Sequence, residues 1–136
     1  MSSKALIEDK ISSIQKYLAI VAHYQQYTQA ELVKDVTLRG ATERYLYLLA
    51  QSAIDLAEMI IAYKKLRKPA TMSESFEILE EAGLVGPELR EKMIKLVGFR
   101  NIIAHDYATV DYDIVYDVLQ NKLADVTALI DVAEKL

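Results

Sequence analysis

Apolar residues recur at helical spacing along most of the chain. Ile7, Ile11, Ile14, Leu18 and Val21 follow a four-three rhythm while Glu8, Asp9, Lys10 and Lys16 fill the other faces, which predicts a first long helix over residues 4–27. His23 falls off that stripe and reads as a surface histidine. Thr28 is placed to cap a short helical turn reaching Lys34, and Asp35 to cap a long segment from Val36 to about Leu66. Leu38, Ala41, Tyr45, Leu49, Ala53, Leu56 and Ile60 run down this segment, and Leu46, Leu48, Ala57 and Ile61 widen the face beyond one seam. A helix apolar over so much of its circumference belongs at the centre of a bundle or against a second subunit.

Residues 64–72 carry Pro69 and read as a crossover connection. Ser73, followed by Phe76 and Leu79, is predicted to cap a short helix that stops at Gly83. Pro87 suits the first position of the next helix, which runs through Leu89 toward His105. Gly98 inside that helix costs about 1 kcal/mol relative to alanine, which predicts a close backbone approach there. Asp111 is predicted to cap a last helix with Val115, Leu119, Leu123, Val126, Ile130 and Ala133 on one face. The sum is all-α: an up-and-down bundle of four main helices plus short ones, one domain over residues 1–136, with no internal repeat.

Composition narrows the setting without changing that picture. Apolar residues, tyrosine included, make up 52% of the chain against two prolines and four glycines, a balance that favours long helices over strands and turns. With no cysteine there is neither a disulfide framework nor a thiolate metal site, which fits a reducing cytosol. The N-terminus lacks the basic-then-apolar layout of a signal peptide, and no uninterrupted run approaches the ~20 apolar residues that span a bilayer. A cytoplasmic protein without a membrane partner is expected.

The net charge of −4 has the wrong sign for gripping nucleic acid over a broad surface, so any such contact has to be local. Positive charge gathers in two blocks: Lys64, Lys65, Arg67 and Lys68, which reads as a solvated helix end, and Arg90, Lys92, Lys95 and Arg100, which leads into the most chemically loaded stretch of the chain. That stretch is Arg100-Asn101-Ile102-Ile103-Ala104-His105-Asp106-Tyr107. The rhythm of Leu89, Met93 and Leu96 continues onto Arg100, so the arginine falls on the buried stripe, where its fixed charge is costly unless an anion or several acceptors meet it. His105 lies roughly 140° further round the helix, so the two side chains do not stack. They converge only if the helix ends near His105 or a second copy of the chain supplies the other half.

Arg-x4-His-x-Tyr, written Arg100, His105 and Tyr107 and flanked by Val97-Gly98-Phe99 and Val110-Asp111-Tyr112, resembles the signature of the HEPN superfamily. The nearest likeness is to its HepT-like branch, ribonuclease toxins that pair with a small nucleotidyltransferase antitoxin in HepT/MntA type systems. The likeness covers nearly all 136 residues. It implies a homodimer with a metal-independent RNA-cleaving site in the cleft between protomers, free of cofactors, with Arg100 and His105 catalytic and Asn101 a helper that orients them. It further implies that the antitoxin attaches AMP to Tyr107 and that toxin and antitoxin form a hetero-oligomer. An added phosphate and its bulk beside the catalytic pair would block the groove.

The chemistry suits those residue types. RNA cleavage needs a base for the 2′-hydroxyl, a donor set for the charge on phosphorus and an acid for the leaving 5′-oxygen; imidazole serves the first or last and a guanidinium fork the second. A structural reading stands beside this one: His105 ends a helix and complements its dipole, Arg100 pairs with Asp106 or Asp111, and Tyr107 is an ordinary half-buried aromatic. A second functional reading keeps the dimer as a non-catalytic module that binds a nucleotidyltransferase or a nucleotide. Two histidines 82 positions apart offer little to zinc, and Glu80 and Glu81 point to different helix faces. No Gly-rich phosphate loop is present, so nucleotide chemistry would come from a partner.

Overall fold

Helix starts follow the available side-chain acceptors. In the computed structural model, which describes residues 3–105 and 110–136, the order is α1 (Ser3–Tyr24), α2 (Gln29–Lys34), α3 (Val36–Tyr63), α4 (Met72–Glu81), α5 (Pro87–His105), α6 (Tyr112–Asn121) and α7 (Leu123–Glu134). There is no strand among the described residues. Thr28 closes a reciprocal capping box, its hydroxyl accepting from the Glu31 amide at 3.1 Å while its own amide donates to the Glu31 carboxylate at 2.9 Å. The Thr28 amide, and secondly the Thr28 side chain, hold the Glu31 carboxyl below its ordinary pKa. Asp35 accepts from the Thr37 and Leu38 amides and starts α3, as its spacing before the apolar run predicts.

The cap of α4 is Thr71 rather than Ser73, which lies inside the helix. Glu74 stands at the capping-box spacing from Thr71, but its carboxylate turns to the Ala70 amide and to Arg67, so the motif forms only its threonine half. Arg67 is bidentate to Glu81 and reaches Glu74, and these carboxylates raise its pKa. One cation of the first basic block thus staples the α3–α4 crossover.

α1 and α3 pack antiparallel, with Tyr24 stacked on Tyr45 at one end and Lys10 bonded to Asp55 further along. Ile7, Ile11, Ile14 and Val21 are buried against this partner, whereas Leu18 is half-buried. α3 is long and apolar enough to cross a bilayer by length and composition, yet more than half of its most apolar window is buried inside the bundle. Its apolarity is that of a core helix, packed against α1, α2, α4, α5 and α7.

The chain after Asp111 folds as two helices where one was expected. Lys122 closes α6 and opens α7 without a side-chain cap, although Val115, Leu119, Val126, Ile130 and Ala133 are all buried. No Pro or Gly marks the break, and the apolar rhythm carries across it because both short helices still face one core. Gly98 also departs from expectation: it is exposed, with open space where a side chain would stand, so no backbone among the described residues approaches it closely. It lies instead in a groove of about 380 Å³ lined by Leu96, Phe99, Ile102, Ile114 and Val118.

α3 and α4 end in the same way with different residues. Gly83 (φ 75°) donates to the Glu80 carbonyl while Leu84 donates to Leu79; Lys65 (φ 55°) donates to Ala62 while Leu66 donates to Ile61. A side chain in that left-handed conformation costs roughly 1–2 kcal/mol. Lys65→Gly is therefore expected to raise stability by about 0.5–1 kcal/mol net of glycine's greater chain entropy, measured by urea denaturation; a lower midpoint would contradict it.

Tyr112 is buried with no partner for its hydroxyl among the described residues. Burial, with the Glu43 carboxylate adding to it and Arg39 opposing, pushes the phenol up to about 12. The folded value lies above the unfolded one, so stability is full below about pH 10 and is lost as pH climbs toward about 12. Tyr112→Phe should flatten that alkaline loss without lowering the neutral-pH melting temperature; an unchanged alkaline limb would show that another group causes it.

Candidate functional site

The apolar rhythm of α5 brings Arg100 onto α3, where three neutral acceptors meet it. Its Nε donates to Gln51 Oε1 at 2.7 Å, Nη1 donates to Asn101 Oδ1 at 3.1 Å, and Nη2 reaches the Tyr47 hydroxyl at 3.4 Å. The guanidinium carbon stands 5.4 Å from the centre of the Tyr47 ring, whose electron-rich face favours a cation. Arg100 is half-buried rather than fully buried. Of its five N–H donors, three are committed among the described residues, and two meet no partner there.

Gln51 has its amide orientation fixed from both sides. Its Nε2 donates to Asp55 Oδ1 at 2.9 Å, and a carboxylate can only accept, so the carbonyl end must face Arg100. Asp55 in turn holds Lys10 at 3.7 Å. A chain of polar contacts thus runs from α1 through α3 to α5: Lys10, Asp55, Gln51, Arg100, Asn101. The glutamine keeps the nearest carboxylate one amide away from the guanidinium. The signal for these partners was present in the sequence as Tyr47, Gln51 and Asp55 at four-residue spacing, but a wide apolar face on the same helix concealed it.

His105 is the last residue of α5 and is exposed. Five residues of helix put it about 7.5 Å along the axis from Arg100 and roughly 140° round it. The arginine bonds to α3, whereas the imidazole is exposed at the end of α5, and no hydrogen bond joins the two among the described residues. Tyr107 and Asp106 lie outside the described residues. Asp111 is engaged in capping α6, accepting from the Asp113 amide at 2.9 Å, and forms no ion pair with Arg100. His23 is exposed beside Gln26, away from this region.

The second basic block does not form a positive surface. Arg90 pairs with Glu80, Lys92 with Glu88 and Asp125, and Lys95 with Glu91. Arg100 alone of that block meets no carboxylate among the described residues. No group of three His, Cys, Asp or Glu side chains able to hold a metal ion exists among the described residues.

Comparison with known proteins places these features in context. The family model described as "Ribonuclease HepT-like" matches residues 7–133. The chain is 32% identical to the "mRNA nuclease HepT" of Shewanella oneidensis over 93% of its own length and 95% of that protein. It is 28% identical to the "tRNA nuclease HepT" of Aphanizomenon flos-aquae over 82% of its length and 76% of that protein. It superposes with a TM-score of 0.88 on the tri-AMPylated Shewanella oneidensis HEPN toxin solved in complex with its MNT antitoxin, 29% identical, over the full length of both chains.

Removing the Gln51 acceptor should free Arg100 without unfolding the bundle. In Gln51→Ala the Arg100 Nε–H is expected to exchange with water about tenfold faster by NMR, with global stability lower by roughly 1–2 kcal/mol. Unchanged exchange would mean that the 2.7 Å bond does not hold the guanidinium in solution.

Proposed function

The chain belongs to the HepT-like ribonuclease family, and on that premise we propose that it is the endoribonuclease toxin of a cytoplasmic toxin–antitoxin pair. Arg100 and His105 cleave RNA without a metal in a cleft between two protomers, and a nucleotidyltransferase antitoxin silences the site by AMPylating Tyr107. The observation that carries this reading is Arg100 itself: a half-buried guanidinium held by neutral acceptors, with no carboxylate among the described residues to neutralise it and two donors uncommitted. A structural ion pair with Asp111 would have used that acid, which instead caps α6. A phosphate site needs that charge left open.

The step follows from the groups present. An imidazole takes the 2′-hydroxyl proton as the 2′-oxygen attacks phosphorus; Arg100 donates to the non-bridging oxygens as their charge grows; the bond to the 5′-oxygen breaks as that oxygen receives a proton. The products are a 2′,3′-cyclic phosphate and a free 5′-hydroxyl. Base and acid are two roles, and each protomer carries one histidine at the motif, so two His105 side chains across a dimer axis can divide them. Asn101 Oδ1 holds one terminal nitrogen of the guanidinium and keeps the fork in orientation.

The relatives' names refer to different RNAs, mRNA in one and tRNA in the other, which supports RNA as the class of substrate without naming one. Modification at Tyr107 is supported by the AMPylated toxin in the superposed complex and by the position of Tyr107 two residues beyond His105.

Unmodified protein in excess chelator should cleave single-stranded RNA, and both Arg100→Ala and His105→Ala should lower the rate about 10²–10⁴-fold with unchanged circular dichroism. If the unmodified protein leaves RNA as intact as His105→Ala does, the non-catalytic binding module replaces this reading. Tyr107→Phe is expected to cleave RNA yet gain no AMP mass when incubated with antitoxin and ATP; AMP on that variant would place the modification elsewhere.

A further inference from the structure

The chain has five arginines, and their partners divide them cleanly. Arg39 pairs with Glu43, Arg67 with Glu74 and Glu81, and Arg90 with Glu80. Arg44 and Arg100 meet no carboxylate among the described residues, and both stand over the same aromatic ring. The Arg44 guanidinium carbon is 5.6 Å from the centre of Tyr47 and that of Arg100 is 5.4 Å from it. Two like charges mounted on one ring repel each other unless an anion is shared between them or each has its own. The nearest candidate acid on the same face of α3, Asp55, is occupied by Lys10 and by the Gln51 amide.

Arg44 is exposed on α3, whereas Arg100 is half-buried and tied by three bonds. The inner cation is fixed and the outer one is free to reach. We propose that Arg44 is a second phosphate-binding residue, taking the phosphate next to the one that Arg100 serves on a single RNA strand, with Tyr47 as their common mount. A phosphodiester chain carries charges that repeat along a line, so it can give each of the two guanidiniums its own anion at once. The inference rests on the ribonuclease reading and adds to it a substrate contact outside the Arg-x4-His motif.

The test uses the unmodified full chain and a short labelled single-stranded RNA, with cleavage measured across a range of KCl concentrations. Arg44→Ala is expected to lower kcat/KM about tenfold, the loss carried by KM, and to flatten the slope of log(kcat/KM) against log[salt] by roughly 0.7, the share of one phosphate contact on a single strand. Arg44→Lys should keep the wild-type slope. A merely structural role for Arg44 would not move the salt slope, and wild-type KM and slope in Arg44→Ala overturn the proposal while leaving the ribonuclease reading intact. If the wild-type protein cleaves no RNA, that reading fails by itself, and the salt dependence of equilibrium binding to the same strand decides the matter. A slope shared by wild type and Arg44→Ala, or no binding at all, overturns the assignment. Unchanged RNA parameters together with weakened antitoxin binding would assign Arg44 to a protein surface and overturn it too.

Discussion

The bond from Arg100 Nε to Gln51 Oε1 is the contact on which the geometry of the site depends. A guanidinium cannot shed its charge at any ordinary pH, so a helix that turns one toward its neighbour must find acceptors for it. α3 answers with an amide and a phenol instead of an acid. Three of the five donors are met, no carboxylate among the described residues balances the charge, and the guanidinium is held by a contact chain that reaches α1 through Asp55 and Lys10. Holding a cation in place while leaving it open to an anion is what a phosphate site requires, and it is how a chain with net charge −4 would engage RNA on the proposed reading. The other charges of α5 are spent on local pairs, so attraction is confined to one region.

Much of the scaffold was legible because it rests on local rules. The stripe of Ile7, Ile11, Ile14 and Val21, the caps at Thr28 and Asp35, the stop at Gly83 and the start at Pro87 each follow from period or from backbone chemistry within a few residues. The misses have equally local causes. Thr71 stood at the capping-box spacing from Glu74 and outranked Ser73, but Met72 between them was read as part of the loop. The break at Lys122 carries no Pro or Gly, and the core selects for the apolar face and not for the continuity of the helix. Gly98 was read as a place of close packing when it instead leaves the floor of a surface groove open.

The candidate motif stands in the sequence, whereas the contacts that hold its arginine do not. Arg100 and His105 are close in sequence, and the likeness to the HepT-like family rests on that spacing. Tyr47 and Gln51 lie about fifty residues away on a helix whose dominant signal is apolar, so only packing of α3 against α5 could reveal them. The same packing ties the arginine to α3, while the histidine is exposed at the end of α5. The proposed composite site of two protomers would join them.

The most direct measurement is a structure of the homodimer bound to RNA carrying a 2′-deoxy sugar at the cleavage position, which binds but cannot react. The account predicts one phosphate with an Arg100 guanidinium and His105 imidazoles from both protomers within about 3 Å of its oxygens or of the flanking 2′ and 5′ positions. Arg100 and His105 found on separate surfaces, with no copy of either within reach of a common phosphate, would contradict it.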